Sequence, residues 1–482
     1  MHIIFVCSHA CSIEPKRIQV ATGKKTYTIM DAKELFALEI FGALDEAQAK
    51  VDRELLALEP VQCVSEMAST LKCVRVGTDC SGMEAPIQAM ENLGVEFEHR
   101  FSCDIDKNVR ATILANFPHG KMYEDVTTRC NTSAPHCDLY VAGFPCQPFS
   151  SAGLQNGFND NSGRGTIFFF VREYIEKQRP RVFILENVTG LVKLNNGSYF
   201  ATILKSLEQL GGYNISHQIL DTKQNGVPHS RRRVYIVGIH QDADRGTFTF
   251  PEPIPAPSMN LFLDSRPNKA IVAAGLPPKT QTMARSNVVT ILCKLKREGR
   301  DPLEEPFLID CDSSTARSKS MFNVSPCITC GRHMGHWVTN RGRRLRKMEM
   351  MRLQGMDPTK FRVVVSEAQL GKQLGNTMSV NVLERLLVRL LPAAGLASTG
   401  LRDRWADGSA VRRLATTRDH GFAESSAQLM MRRKAYAAAP TTPNILPKKL
   451  TNNVAKSLPK KRWASSAATA KGSPKRVCPT SQ

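Results

Sequence analysis

Short, almost unbroken apolar runs constrain this chain most. Leu139-Tyr140-Val141-Ala142, Val182-Phe183-Ile184-Leu185 and Val234-Tyr235-Ile236-Val237 show no polar alternation. Runs of this length read as strands buried on both faces, the property of a parallel sheet covered by helices. From 71 to about 240 such runs alternate with helical patterns, the rhythm of βαβ units. The expected fold class is α/β, with a Rossmann-like, mostly parallel sheet.

Chemistry-bearing residues follow the runs. Ala142 leads into Gly143-Phe144-Pro145-Cys146-Gln147-Pro148-Phe149-Ser150, a loop stiffened by two prolines. A thiol on a rigid loop at a strand's carboxyl end suits nucleophilic chemistry, and a buried structural cysteine is the competing reading. The second run ends in Glu186-Asn187-Val188, and Arg231-Arg232-Arg233 precedes the third. Gln373-Leu374-Gly375-Asn376-Thr377 opens a late apolar helix. Val74-Arg75-Val76-Gly77, Cys80-Ser81-Gly82 and the stretch through Leu93 read as strand, loop and helix. Phe101-Ser102-Cys103 ends at Asp104, a carboxylate suited to a ribose diol. It could equally cap the next helix, although Asp106 is available for that.

The Pro-Cys-Gln loop, the Glu-Asn-Val strand end, the Arg-x-Arg strand and the Gly-Asn turn, four motifs in this order on matching elements, resemble the C5-cytosine DNA methyltransferases. The resemblance runs from about Val74 to Gly238 and from about Arg341 to Leu391. It implies a methyltransferase domain with an inserted, smaller target-recognition domain. It also implies double-stranded DNA as partner and S-adenosyl-L-methionine as cofactor. The catalytic set is Cys146, Glu186 and Arg233. C5 of cytosine is a poor nucleophile, and a thiolate adding at C6 activates it. Glu186, protonated or sharing a proton with N3, and Arg233 at O2 meet the charge that develops. The matching cofactor positions are Cys80, Ser81, Gly82, Met83, Asp104, Ile105, Asp125, Val126, Pro145, Ile167, Asn376 and Thr377. Gln147, Ser150, Asn187 and Arg231 are expected at the substrate. Three departures stand out: Cys80 for a phenylalanine, Glu84 for a glycine, and His229 for the glutamine before the two spaced arginines.

The expected organisation is an N-terminal extension over 1–70 with one or two helices, the catalytic domain over 71–240, a recognition domain over 241–340 and a returning segment over 341–392. A basic tail over 393–482 carries 17 Lys+Arg against 4 Asp+Glu of a chain whose net charge is +21. Such a segment is expected not to fold alone. Lys448-Lys449 and Lys460-Lys461-Arg462 have the spacing of a bipartite import signal, which predicts a nuclear location. No run is long and apolar enough to span a membrane. Cys327, Cys330, His333 and His336 have zinc-ligand residue types, but they crowd too closely for a finger, so no metal is expected. Two rivals remain. One is a tRNA cytosine methyltransferase of the same fold, whose Cys-Phe-Thr motif is echoed by Cys327-Ile328-Thr329. The other is a catalytically impaired regulator.

Overall fold

The computed structural model describes residues 18–22, 25–29, 73–145 and 164–420. Cys146, Gln147, Ser150 and most of the N-terminal extension lie outside the described residues, as does the chain beyond 420. Within the extension, Ile18–Thr22 and Lys25–Ile29 pair antiparallel. The expectation of one or two helices does not include this hairpin, whose segments IQVAT and KTYTI are rich in β-branched residues and tyrosine. The Asp31–Leu35 stretch behind that expectation is outside the described residues.

The main sheet has seven strands: β1 Val74–Asp79, β2 Phe97–Cys103, β3 Lys121–Tyr123, β4 Leu139–Ala142, β5 Val182–Val188, β6 Tyr213–Asp221 and β7 Arg232–His240. Their spatial order is β3-β2-β1-β4-β5-β7-β6. β1, β2, β3, β4 and β5 are parallel, and β7 runs antiparallel to both β5 and β6. The fold is therefore α/β with a mostly parallel sheet, as the apolar runs predict. Leu139, Val141, Val182 and Ile184 face one core, with α1 (Ala85–Leu93) and the late helix Val380–Ala393. Tyr140, Ala142, Phe183 and Leu185 face the other, with α3 (Ile167–Gln178) and α4 (Ser198–Glu208). Strand order reverses between β1 and β4, which opens a crevice at their carboxyl ends.

The recognition segment has its own small core. α5 (Thr282–Arg297) packs Val288 and Leu295 with Phe307, Ile309 and Trp337. Its sheet joins β8 Phe307–Ile309, β9 Ser320–Phe322, β10 Trp337–Val338 and β11 Arg343–Arg344, so it runs past 340. At its other end, Met259, Phe262 and Leu263 belong to the large core.

The boundary expected at 393 is too early. Trp405 and Leu414 are buried in the large core, the latter on the short helix Ser409–Ala415. Arg385 pairs with Asp403 at 2.9 Å, and the fully buried Arg352 donates to Thr417. Composition averaged over ninety residues hid this piece. Residues 421–482 hold 12 Lys+Arg and a single acid, Glu424, so the charge excess lies almost wholly beyond it.

Candidate active site

The crevice has a donor half, at the ends of β1 and β2, and a base half, at the ends of β5 and β7. In the donor half the loop after β1 is held in left-handed backbone at Cys80, Gly82 and Glu84. Two of these are not glycines, and each such residue costs about 1–2 kcal/mol. Side chains offset that cost. Glu84 is fully buried, and its Oε1 accepts from Thr78 and Ser102 hydroxyls, both at 2.7 Å. Burial pushes its pKa up to about 8, against the hydroxyl bonds that lower it. The neighbouring His99 is pushed down to about 4 by burial. Near neutrality both are uncharged.

The expected donor residues divide into two sets. Gly82 donates its N–H to Asp104 Oδ2 at 3.0 Å, and only a bare glycine relaxes at its φ of +56°. Asp104 sits half-buried at the end of β2, its pKa raised by burial. Asp106, not Asp104, caps α2 (Lys107–Asn116) by accepting from Asn108 N–H. Ile105 is 76% exposed, an open apolar face. Asp125 uses Oδ1 for Thr127, and its Oδ2 has no hydrogen bond among the described residues. Val126 is buried behind it, and Pro145 and Ile167 are half-buried on either side of the undescribed loop. Asn376 is exposed.

Three of the expected donor residues spend a polar group or side chain within the protein. Ser81 spends its hydroxyl on Cys103 N–H and on the Thr78 and Cys103 carbonyls, stapling β1 to β2. Met83 is fully buried in the core, and its carbonyl accepts from Gln88. The Thr377 carbonyl is taken by Arg231, although its Cα comes within 4.0 Å of where a Cβ on Gly82 would sit. Cys80 is half-buried, and burial holds its thiol well above its usual pKa.

In the base half, Glu186 and Arg233 meet. β7 pairs antiparallel with β5, with Val188 opposite Arg233, so both side chains emerge at the same sheet edge. Arg233 Nε lies 3.2 Å from Glu186 Oε1. Glu186 is 8% exposed, and Oε1 has no hydrogen bond among the described residues, so the ion pair alone meets it. A Cβ built on Gly143 would come 3.9 Å from Glu186 Oε2, so the lead-in to Cys146 passes beside the carboxyl.

Two residues expected at the substrate, Asn187 and Arg231, donate to the protein's own carbonyls. Asn187 is buried and donates to the Phe144 carbonyl at 3.1 Å, tying the Gly143–Pro145 lead-in to β5. Arg231 is 3% exposed, and donates to the carbonyls of Ile328, Gly375 and Thr377 at 2.9, 3.1 and 2.7 Å. These bonds occupy its two terminal nitrogens, and Nε has no hydrogen bond among the described residues. Gly375 makes this closure possible, since a Cβ there would lie 2.2 Å from Cys330 N.

His229 is also buried. One ring nitrogen lies 2.9 Å from the Leu353 carbonyl, and the other accepts from Ile328 N–H at 3.0 Å. That requires the neutral Nδ1–H tautomer, and burial keeps its pKa well below the usual value. A glutamine amide offers the same donor and acceptor, which accounts for the exchange. Cys327 Sγ lies 3.9 and 4.0 Å from the Arg231 and Arg233 guanidinium groups. Its partner in spacing, His336, faces the Cys327 carbonyl and Asp310. Among the described residues no three His, Cys, Asp or Glu side chains gather to hold a metal.

Comparison with known proteins gives a consistent result. Residues 79–391, well over half of the chain, match the family model of C-5 cytosine-specific DNA methylases. Type II methyltransferase M.NgoBI of Neisseria gonorrhoeae is 34% identical over 59% of this chain and 83% of its own length. Type II methyltransferase M.HpaII of Haemophilus parainfluenzae is 32% identical over 64% and 86%. The solved structure of the Entamoeba histolytica methyltransferase EhMeth aligns over 66% of this chain and 98% of its own, at 17% identity and a TM-score of 0.48. The chain belongs to the C-5 cytosine-specific DNA methylase family, and it is an enzyme of that family.

Proposed function

We propose that the protein transfers a methyl group from S-adenosylmethionine to C5 of a cytosine in double-stranded DNA, through a covalent bond from Cys146 to C6. The observation that carries this reading is the buried Glu186–Arg233 pair beside the Gly143–Pro145 lead-in, at the strand-order reversal. The donor half fits the cofactor. It offers a carboxylate at the end of β2 for a ribose diol, an Asp125 Oδ2 with no hydrogen bond among the described residues for an amino group, an open isoleucine face and a side-chain-free loop at Gly82. When bound, the cofactor supplies an electrophilic methyl on a cationic sulfur.

The remaining steps fall to this chain's residues. The target cytosine has to leave the helix, at a cost of a few kcal/mol. The Cys146 thiolate adds to C6, and the displaced electron pair moves toward N3 and O2. Glu186 holds a proton at N3, and Arg233 meets the charge at O2. C5 then takes the methyl. Loss of the C5 proton to solvent and expulsion of the thiolate restore the ring.

Bisulfite sequencing of duplex DNA incubated with protein and donor should show new 5-methylcytosine. Cys146→Ser should abolish it, and wild type should become trapped on 5-fluorocytosine DNA. Normal methylation by the serine variant would remove Cys146 from the mechanism. The tRNA reading draws on Cys327, which borders Arg233 in the segment Cys327-Ile328-Thr329. The same assay on tRNA transcripts decides between the two substrates. The basic pairs beyond 420 are proposed as an import signal, and a truncation ending at His420 that remained nuclear would remove that role.

A further inference from the structure

Asp79, the last residue of β1, is fully buried at the floor of the crevice, in register with Cys103 on β2 and Ala142 on β4. Arg129 grips it with both terminal nitrogens, at 2.5 and 2.6 Å, and the Tyr140 hydroxyl adds a third bond at 2.5 Å. The guanidinium lies over the rings of Phe101, Tyr123 and Tyr174, about 5 Å from each centroid. Its remaining nitrogen donates to Asn131 Oδ1, and the Asn131 amide continues to Glu173 and the Phe170 carbonyl on α3. Burial alone would lower the pKa of Arg129, and the Asp79 carboxylate raises it instead.

Three segments therefore meet at one cation. Asp79 leads into the Cys80–Gly82 loop, Arg129 lies four residues beyond Asp125, and α3 begins at Ile167. Each segment carries a donor-site position. We propose that Arg129 is the positioning residue of the donor site, setting the spacing between Gly82, Asp125 and Ile167 without touching the donor. The inference rests on the proposed use of S-adenosylmethionine. A planar, two-pronged cation is needed, because a lysine can neither span both Asp79 oxygens nor stack between the rings. Small displacements of positioned groups are expensive, with a shift of about 1 Å costing up to roughly 100-fold.

The test measures S-adenosylmethionine affinity by calorimetry on the full chain, together with KM for donor, KM for DNA and kcat. In Arg129→Lys, donor affinity should fall about 10-fold or more, while KM for DNA and kcat at saturating donor stay within about threefold. If Arg129→Lys does not fold, Asn131→Ala decides, since it leaves the ion pair intact and cuts only the tie to α3. It should weaken donor binding about threefold or more, with KM for DNA unchanged. Folded variants that bind donor as wild type does overturn the inference and leave the proposed function standing. A wild type that binds no donor overturns both.

Discussion

The two halves of the crevice solve opposite electrostatic problems. The donor half concentrates acids: Asp79, Glu84 and Asp104 lie within 26 residues; Glu84 is met by hydroxyls on β1 and β2, Asp104 by loop N–H groups, and Asp79 by Arg129 and Tyr140. The base half concentrates cations and imidazole: Arg231, Arg233 and His229. Two of these are satisfied by main-chain groups about 100 to 150 residues away in sequence. In the donor half, Arg129 neutralises Asp79 and burial holds Glu84 protonated, which leaves Asp104 and Asp125 as the carboxylates of the donor positions. A cationic donor and a ring gathering negative charge would each meet the opposite sign. The contrast teaches that a loop can lose its glycines and keep its shape if buried hydroxyls and acids replace them. The base half has no comparable local reserve.

The strongest challenge to this division is Glu186→Gln. The amide cannot transfer a proton to N3, so kcat should fall roughly 10²–10⁴-fold with donor affinity unchanged. Arg233→Met should cost roughly 10²–10³ in kcat, the range for removing one preorganised donor. Methyl-transfer rates at saturating donor and DNA check both, and a loss confined to donor KM would erase the distinction between the halves.

Arg231→Met should instead act on stability. It strands three buried carbonyls, each costing roughly 1–3 kcal/mol. Denaturant melts should show a loss of about 3 kcal/mol or more. If stability holds and only DNA affinity falls, Arg231 faces substrate after all. His229→Gln should keep both stability and activity, whereas His229→Leu should lose stability.

A pH dependence separates the donor half more gently. Glu84 has its folded pKa raised from 4.5 to about 8, so its contribution is complete below 4.5 and is lost as pH rises through 8. His99 is lowered from 6.5 to about 4, so its contribution is present above 6.5 and lost as pH falls through 4. The two slopes oppose each other between 4.5 and 6.5. From 6.5 to 8 the Glu84 slope should dominate this pair, and wild-type stability should decline. Glu84→Gln should flatten that decline, and an unchanged slope would assign it elsewhere, for instance to the buried Glu384, which is raised to about 7.

The smallest effect concerns DNA phosphates. Arg231 is spent inside the protein, so backbone neutralisation has to come from other cations. Removing 421–482 should leave kcat on a short duplex intact and flatten the salt dependence of binding, because fewer counterions are released. Ending the chain at 397 should be far worse, since it strips Trp405 and Leu414 from the core. Equal behaviour of the two truncations would contradict that packing.

The apolar runs made the buried strands and the mostly parallel sheet legible, and the strand ends brought forward Glu186, Arg233 and Asp104 as candidates. Sequence reasoning missed how the neighbours are spent. Ser81, Met83, Asn187 and Arg231 occupy motif positions, yet their polar groups are committed to backbone or core. Such commitments depend on segments that meet only after folding. Arg129 carried no local signal at all, because its partners are Asp79, fifty residues earlier, and three aromatic rings on separate elements. Trp405 packs in the large core beyond the boundary expected at 393.

The reversed strand β7 also sets a timetable. It places Arg231 at the crevice early in synthesis, but the carbonyls that receive its guanidinium belong to residues 328, 375 and 377. Until those residues have been made, the cation has only water for company, and the wall of the base pocket stands without its brace. Contacts of such long sequence separation form late. Pulsed hydrogen exchange during refolding should find the Ile328 and Thr377 amides among the last protected, so that the enzyme acquires its shape and its competence in the same final step.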